Sequence, residues 1–123
     1  MGHTAVHYTP GAQVTIKAGA NLVAGTFVKV SSAWTDRRNP VVIAATAADE
    51  PFGFVRNDTV KDEFTTVYRG KYVADFVADG AVKAGDKIAI GTAGKAKTAA
   101  EGSATVGVAM SDAADGYVTV AVS

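Results

Sequence analysis

Hydrophobic and polar residues alternate with a period of two along several short segments of the chain. Residues 13–17 place Val14 and Ile16 on one face, and residues 117–122 place three valines on one face. Successive side chains of a strand point to opposite faces of a sheet, so this period is typical of a strand with one buried face. We therefore predict a strand in each of these two segments.

Turn-forming residues separate further short hydrophobic segments at intervals of about ten residues, a spacing typical of β-sandwiches and small barrels. The longest of these segments is broken by Gly70. Residues 31–39 are expected to form a hairpin or a long loop, and residues 96–104, which are small and polar, a stretch with one helical turn. Strands are predicted, in chain order, at residues 13–17, 26–30, 40–44, 52–55, 64–76, 87–90, 105–110 and 117–122.

The apolar composition supports an all-β fold. The 123 residues match the length of one ordinary domain. They include 18 Val and 13 Thr but a single leucine, Leu22. β-Branched residues favour pleated sheets, whereas leucine usually dominates helical cores. We predict a small barrel or sandwich of short antiparallel strands at residues 13–123, preceded by an extended N-terminal arm at residues 1–12 that ends in the turn signal Pro10-Gly11.

Two parts of the chain carry the same order of turns and strands. An Ala-Gly turn at residues 24–25 precedes one strand, and an Ala-Gly turn at residues 84–85 precedes another. Each is followed by a strand with an X-Gly pair, at residues 52–55 and 106–109, and then by a polar turn and an aromatic-led strand. The sequence therefore indicates either two similar β halves in one body or repeated use of the same turn chemistry.

Charge and residue content argue against several classes of function. The chain has no cysteine, and its 12 Lys+Arg balance 12 Asp+Glu, whereas binding to a phosphate backbone usually needs a basic excess. The two histidines, His3 and His7, are best interpreted as a solvated pair because no third metal ligand lies near them. The longest aliphatic run, residues 41–45, is too short to span a bilayer. We therefore predict a protein that is not an enzyme, with no cofactor, no metal, and neither nucleic acid nor membrane as a partner.

The loop after the second predicted strand offers candidates for an interface. Trp34, the single tryptophan, is either a lid on the core or an anchor in a binding site, where tryptophan is enriched. Arg37 and Arg38 follow it and form a basic pair. Since the net charge is zero, such groups are expected to be solvated or to form one half of a charge-complementary interface. The acidic half could come from Asp75, Asp79 and Asp86.

The C-terminal half of the chain resembles a family of small tailed-phage head proteins, the capsid cement or decoration proteins. The resemblance is carried by the order of four motifs rather than by any one of them. They are VKAGDKI at residues 82–88, VGVAM at 106–110, DAADG at 112–116 and VTV at 118–120. The N-terminal half matches the same family more loosely, through AGTFV at residues 24–28, FGFV at 52–55 and YRGKY at 68–72.

This resemblance implies a structural virion protein, made in the host cytoplasm and located on the capsid exterior. It implies the major capsid protein as partner, a homotrimer at least on the capsid, and stabilisation of the shell against the pressure of packed DNA. No catalytic or cofactor residue is implied. The N-terminal arm is expected to contact the capsid through Val6, His7, Tyr8 and Pro10, with Trp34, Arg37 and Arg38 as interface anchors.

An alternative function is a head-fibre or tail-associated β module that binds a cell-surface glycan. Aromatic side chains on an exposed face would favour it, and Trp34, Tyr68 and Tyr72 are the candidates.

Overall fold

The computed structural model describes residues 13–32, 39–47 and 49–123. It confirms an all-β fold, with ten strands in the described residues and one short 3-10 turn at Thr92–Gly94. None of the helical segments described is long and apolar enough to cross a membrane. The strands are β1 (Gln13–Ala18), β2 (Thr26–Ser32), β3 (Val41–Ala44), β4 (Gly53–Val55), β5 (Phe64–Tyr68), β6 (Val73–Val77), β7 (Lys87–Ile90), β8 (Ala96–Thr98), β9 (Gly107–Ala109) and β10 (Tyr117–Val122).

The strands form two five-stranded sheets that follow one another along the chain. The first is a closed barrel with the order β1-β3-β2-β4-β5, and the second has the order β6-β10-β9-β7-β8. Neighbouring strands are antiparallel except for β1 and β3, which run parallel. The predicted sequence echo therefore corresponds to a structural repeat, because β1, β2, β3, β4 and β5 take the places of β6, β7, β8, β9 and β10.

The registers of the two sheets agree residue by residue. In the first sheet Val28 is paired with Gly53 of β4 and with Ala44 of β3. In the second sheet Ile88 takes the same place, paired with Gly107 of β9 and with Thr98 of β8. Shared registers as well as shared strand order indicate two similar halves rather than a reuse of turn chemistry.

The turns before β2 and β7 are also held in the same way. The backbone N–H of Ala24 donates to the Asp58 carboxylate at 2.8 Å, and that of Ala84 donates to the Asp112 carboxylate at 2.8 Å. Aspartate is a common acceptor for backbone N–H groups in turns. The repeated Ala-Gly pair is therefore part of a turn that occurs in both halves. In each half, an aspartate distant in sequence holds this turn.

The two halves differ in how far the sheet closes on itself. In the first half, β1 and β3 pair in parallel at two positions, Lys17 with Val41 and Ala18 with Val42. In the second half, a single parallel bridge at the corresponding place joins Ala78 to Ala96. The second sheet is therefore the more open of the two.

Two hydrophobic cores lie inside the two halves, and only the first consists of residues from a single half. The second core contains Phe76, Ile88 and Val120 of the second sheet together with Phe27 and Phe54 of the first. The first half thus completes the core of the second. The first core consists of Val14, Ile16, Ala18, Leu22, Val28, Val42, Val55 and Val67.

One segment differs from its predicted structure. Residues 96–104 were expected to hold a helical turn, but Ala96–Thr98 form β8, and the 3-10 turn lies just before it at Thr92–Gly94. The strand arises from its neighbour, since β8 pairs with β7 through three residues. Alanine and lysine, two of the three residues of β8, are depleted in strands, so tertiary pairing decides the conformation here.

Candidate binding surface

The residues predicted from the sequence to contact the capsid lie outside the described residues. These are Val6, His7, Tyr8 and Pro10 of the arm, and Trp34, Arg37 and Arg38 between β2 and β3. Their attachment points are described: the arm joins the fold at Gln13, the first residue of β1, and the other segment follows the end of β2. Gln13 lines a groove between the two sheets, so the arm joins the fold beside that groove.

An aromatic cluster forms the floor of the seam between the two sheets. The rings of Phe27 and Phe76 stack with their centroids 4.5 Å apart, and Phe54 meets Phe76 edge-on at 5.0 Å. Phe54 also stacks with Tyr68 at 5.7 Å, and Tyr68 meets Tyr72 edge-on at 5.6 Å. Such pairs stabilise beyond the area that they bury. Tyr68 and Tyr72, candidates for stacking on a glycan, are half-buried and contribute to this cluster.

A groove of about 820 Å³ opens on one side of this seam, between the β4–β5 region and the C-terminal strand. Arg69 fixes part of its wall. The Arg69 guanidinium lies 4.4 Å from the centroid of the Phe52 ring, and its Nε donates to the Phe52 carbonyl oxygen at 2.6 Å. The charge of Arg69 is thus held against an aromatic face, a favourable arrangement for a guanidinium.

A carboxylate at the rim of this groove is held in its ionised form. Asp49 accepts hydrogen bonds from the hydroxyl and the backbone N–H of Thr46 at 2.7 and 2.8 Å, and it pairs with Lys29 at 3.0 Å. Together these interactions lower the pKa of Asp49 to about 2. The hydrogen bond from the Thr46 hydroxyl has the largest effect, followed by the bond from the Thr46 backbone and by Lys29. Hydrogen bonds to the charged form favour that form.

Replacing Thr46 with alanine should raise the pKa of Asp49 towards its ordinary value, because the hydroxyl bond is lost while the backbone bond remains. The pH titration of the Asp49 carboxyl carbon, followed by NMR, measures this shift. Since the folded pKa is depressed, the stabilisation from this carboxylate is present above the unfolded pKa and is lost as the pH falls towards about 2. An unchanged Asp49 pKa in the variant would contradict the assignment.

A second groove, of about 560 Å³, lies on the other side of the aromatic cluster. We call it the β6 groove because one wall is the start of β6, at Val73 and Asp75. The opposite wall contains Gln13, Gly25 and Arg56 of the first half. The Arg56 guanidinium lies 5.6 Å from the centroid of the Tyr68 ring, at the floor of the groove.

An exposed apolar face borders the β6 groove. Val73 is 64% exposed, Val108 43%, Met110 58% and Tyr117 55%. The registers place Val73 and Val108 on one surface of the second sheet, because Ala121 of β10 pairs with both. Tyr117 lies an even number of residues from Ala121 on β10, and Met110 lies two residues after Val108 and donates its backbone N–H to Thr119, so both share that surface. Clusters of exposed apolar side chains usually mark interaction surfaces, whereas single ones do not.

The acidic residues considered for an interface also accept hydrogen bonds within the chain. Asp75 accepts a hydrogen bond from the Thr119 hydroxyl at 2.6 Å, and Asp79 accepts one from the Thr92 backbone N–H at 2.9 Å. Asp86 accepts hydrogen bonds from the Lys83 backbone N–H and the Thr98 hydroxyl, both at 3.0 Å. Within residues 13–32, 39–47 and 49–123, no three His, Cys, Asp or Glu side chains form a group that could hold a metal ion.

Comparisons with known proteins place this fold among phage head proteins. A sequence model of the family described as phage cement protein matches residues 6–123, nearly the whole chain. Among solved structures, the fold is similar to the N base of the head fiber gp8.5 of bacteriophage phi29, with a TM-score of 0.77 and 23% sequence identity over 91% of this chain and 93% of that chain. No curated protein matches the sequence.

Proposed function

The chain belongs to the phage cement protein family, and on that premise we propose that it binds the outer surface of the mature capsid and stabilises the shell against the pressure of packed DNA. Membership makes it a phage structural protein and a component of the virion. The observation that carries the proposal is the family match, which covers residues 6–123 and so includes both β halves. We propose the major capsid protein as its partner and no catalytic role.

The physical basis of such stabilisation is mass action. A protein that binds the expanded shell, and not its disrupted form, stabilises the shell by an amount that grows with the logarithm of its concentration over its dissociation constant. We propose that the protein acts as a homotrimer on the shell. Three linked contacts raise the overall affinity without any single strong site, because the second and third contacts become intramolecular.

We propose that the N-terminal arm, with Val6, His7, Tyr8 and Pro10, supplies one of these contacts, and that Trp34, Arg37 and Arg38 supply another. The support is positional. The arm joins the fold at Gln13, beside the β6 groove and its bordering apolar face. A surface built in this way can combine main-chain contacts from an arm with apolar contacts from a sheet.

The test is co-sedimentation of the purified protein with expanded, DNA-free capsids of the phage that encodes it. We expect the full chain to sediment with the capsids and to raise their disruption temperature. A chain lacking residues 1–12 should bind about tenfold more weakly or worse, a loss equivalent to roughly 1.4 kcal/mol. Light scattering of both chains reports whether the free protein is a trimer and whether the arm contributes to it. Absence of capsid binding by the full chain would refute the proposed function.

A second candidate function is that of a head-fibre or tail-associated β module that binds a cell-surface glycan. The similarity to the phi29 head fiber base favours it, although at 23% identity that similarity concerns the fold alone. Glycan binding by the purified chain without capsid binding would support this candidate over the first. Substitution of Tyr72 would then be expected to weaken glycan binding.

A further inference from the structure

We propose that the outer edge of β6 is a strand-addition site, which takes an extended segment of the capsid protein with apolar side chains at alternate positions. This inference deepens the proposed function, and rests on it, by naming the surface of the fold that contacts the shell. It is carried by the hydrogen-bond register of β6, by the β6 groove beside it and by the apolar face that continues from it.

The register of β6 shows which of its backbone groups face outwards. The backbone N–H of Val122 donates to Tyr72 at 2.8 Å, and that of Ala78 donates to Gly116 at 2.8 Å. In an antiparallel pair, every second residue bonds to its partner strand. The residues of β6 that bond to β10 are therefore the even-numbered ones, and residues 73, 75 and 77 direct their N–H and C=O groups away from β10.

One end of this outer edge is already covered. The N–H of Val77 donates to the Gly25 carbonyl at 2.9 Å. Gly25 also packs closely against the carbonyl of Asp75, because a Cβ atom at Gly25 would lie only 3.0 Å from that oxygen. Among the described residues, no backbone hydrogen bond engages the N–H of Asp75 or either backbone group of Val73, so the edge is open at these groups there, and both residues line the β6 groove.

An open edge of this kind selects the conformation of its ligand. Extended peptides add to exposed sheet edges through main-chain hydrogen bonds, and pockets for alternate side chains supply specificity. On the outer side, an added strand would continue the row formed by Val73, Ala121 and Val108, which is apolar. On the inner side, its side chains would enter the groove above Tyr68 and Tyr72.

The chemistry of the segment that binds here follows from the outer and inner sides of the site and from the proposed function. Both sides of the site favour apolar side chains, and the charged residues that line the groove, Asp75 and Arg56, are of opposite sign. Asp75 is engaged by Thr119 and Arg56 lies over Tyr68, so the site does not call for a strongly charged peptide. An extended apolar segment of a shell subunit meets these requirements.

Proline at position 75 tests the edge directly. Proline lacks the N–H group and is tolerated on edge strands where that group faces outwards, so Asp75→Pro should leave the β6–β10 ladder in place. Asp75→Ala is the matched control, because it loses the same Thr119 hydrogen bond and keeps the N–H group. We expect Asp75→Pro to bind capsids about tenfold more weakly or worse, and Asp75→Ala to stay close to the parent protein.

Three results separate this inference from the proposed function. If the parent protein binds no capsid, the proposed function fails. If it binds, and Asp75→Pro with an unchanged melting temperature binds equally well, strand addition at β6 is overturned and the proposed function stands. A melting temperature lowered in Asp75→Pro but not in Asp75→Ala moves the test to Val73→Pro against Val73→Ala, which alters the next open N–H group, with the same two binding outcomes.

The identity of the occupant is tested by cross-linking. The chain has no cysteine, so Val73→Cys creates a single attachment point for a short photo-cross-linker at the open edge. On capsids, the cross-linked product is expected to contain a segment of the major capsid protein. A product that joins two copies of this chain, through the N-terminal arm or any other segment, would overturn the proposed occupant. Lys95→Cys is the control position, because Lys95 does not line the β6 groove.

Discussion

Replacing Phe76 with alanine is expected to lower the free energy of unfolding by about 3 to 5 kcal/mol, the usual cost of deleting a fully buried aromatic ring. Phe76 has no exposed surface, and its ring contacts Phe27 and Phe54 of the first sheet. The loss should therefore affect the second core and the junction of the two halves together. Equilibrium denaturation with urea, monitored by far-UV circular dichroism, measures the change.

Phe64 provides the matched control for this substitution. It is also a phenylalanine in a strand, but 56% of its surface is exposed. Phe64→Ala should change the free energy of unfolding by about 1 kcal/mol or less, since surface substitutions have small effects. Equal losses in the two variants would show that Phe76 does not join the halves as described.

Gly94→Ala is expected to destabilise the fold by about 2 to 5 kcal/mol. Two costs add together: alanine disfavours the left-handed backbone conformation, and its Cβ atom overpacks a close contact. Gly94 has a φ of 78°, and a Cβ atom there would clash with the carbonyl oxygen of Phe27 in β2. That oxygen belongs to the backbone of a buried strand, so it cannot move aside without disturbing the seam. Thermal unfolding by calorimetry gives the magnitude.

Gly102→Ala separates the cost of the left-handed backbone from the cost of the overpacked contact. Gly102 has a φ of 81°, but a Cβ atom at this position would meet nothing within 4 Å. Its replacement should cost only the conformational part, about 1 to 2 kcal/mol. If both variants lost the same stability, the close approach of the 3-10 turn to β2 would make no contribution.

The alternation of hydrophobic and polar residues predicted most strands because it follows from burial of one sheet face. Gln13–Ala18 and Tyr117–Val122 agree with their patterns to within one residue. The stretch broken at Gly70 became two strands, β5 and β6. In contrast, Ala96–Thr98 lacks a hydrophobic alternation of its own and becomes a strand through its pairing with β7. A local pattern cannot show a strand that a neighbour imposes.

The binding surface was harder to predict from the sequence than the fold. The β6 groove joins Gln13, Arg56 and Val73, which are far apart in the chain and meet only through the packing of the two sheets. The alternation after Gly70 places Val73 on the same face as Asp75, and a single exposed valine does not mark an interaction site, so the local pattern carried no signal for this surface. The candidates in the arm and after β2 remain predictions.

The unequal division of the two cores has a consequence for the order in which the protein folds. Among the described residues, the first core uses residues between Val14 and Val67 only, whereas the second requires Phe27 and Phe54 from the first half. During synthesis the N-terminal half leaves the ribosome first. It can bury its own core at once, and the later half emerges to find its missing core residues already in place on a finished barrel. The half that is synthesised first is therefore also the half whose residues the other needs to complete its core.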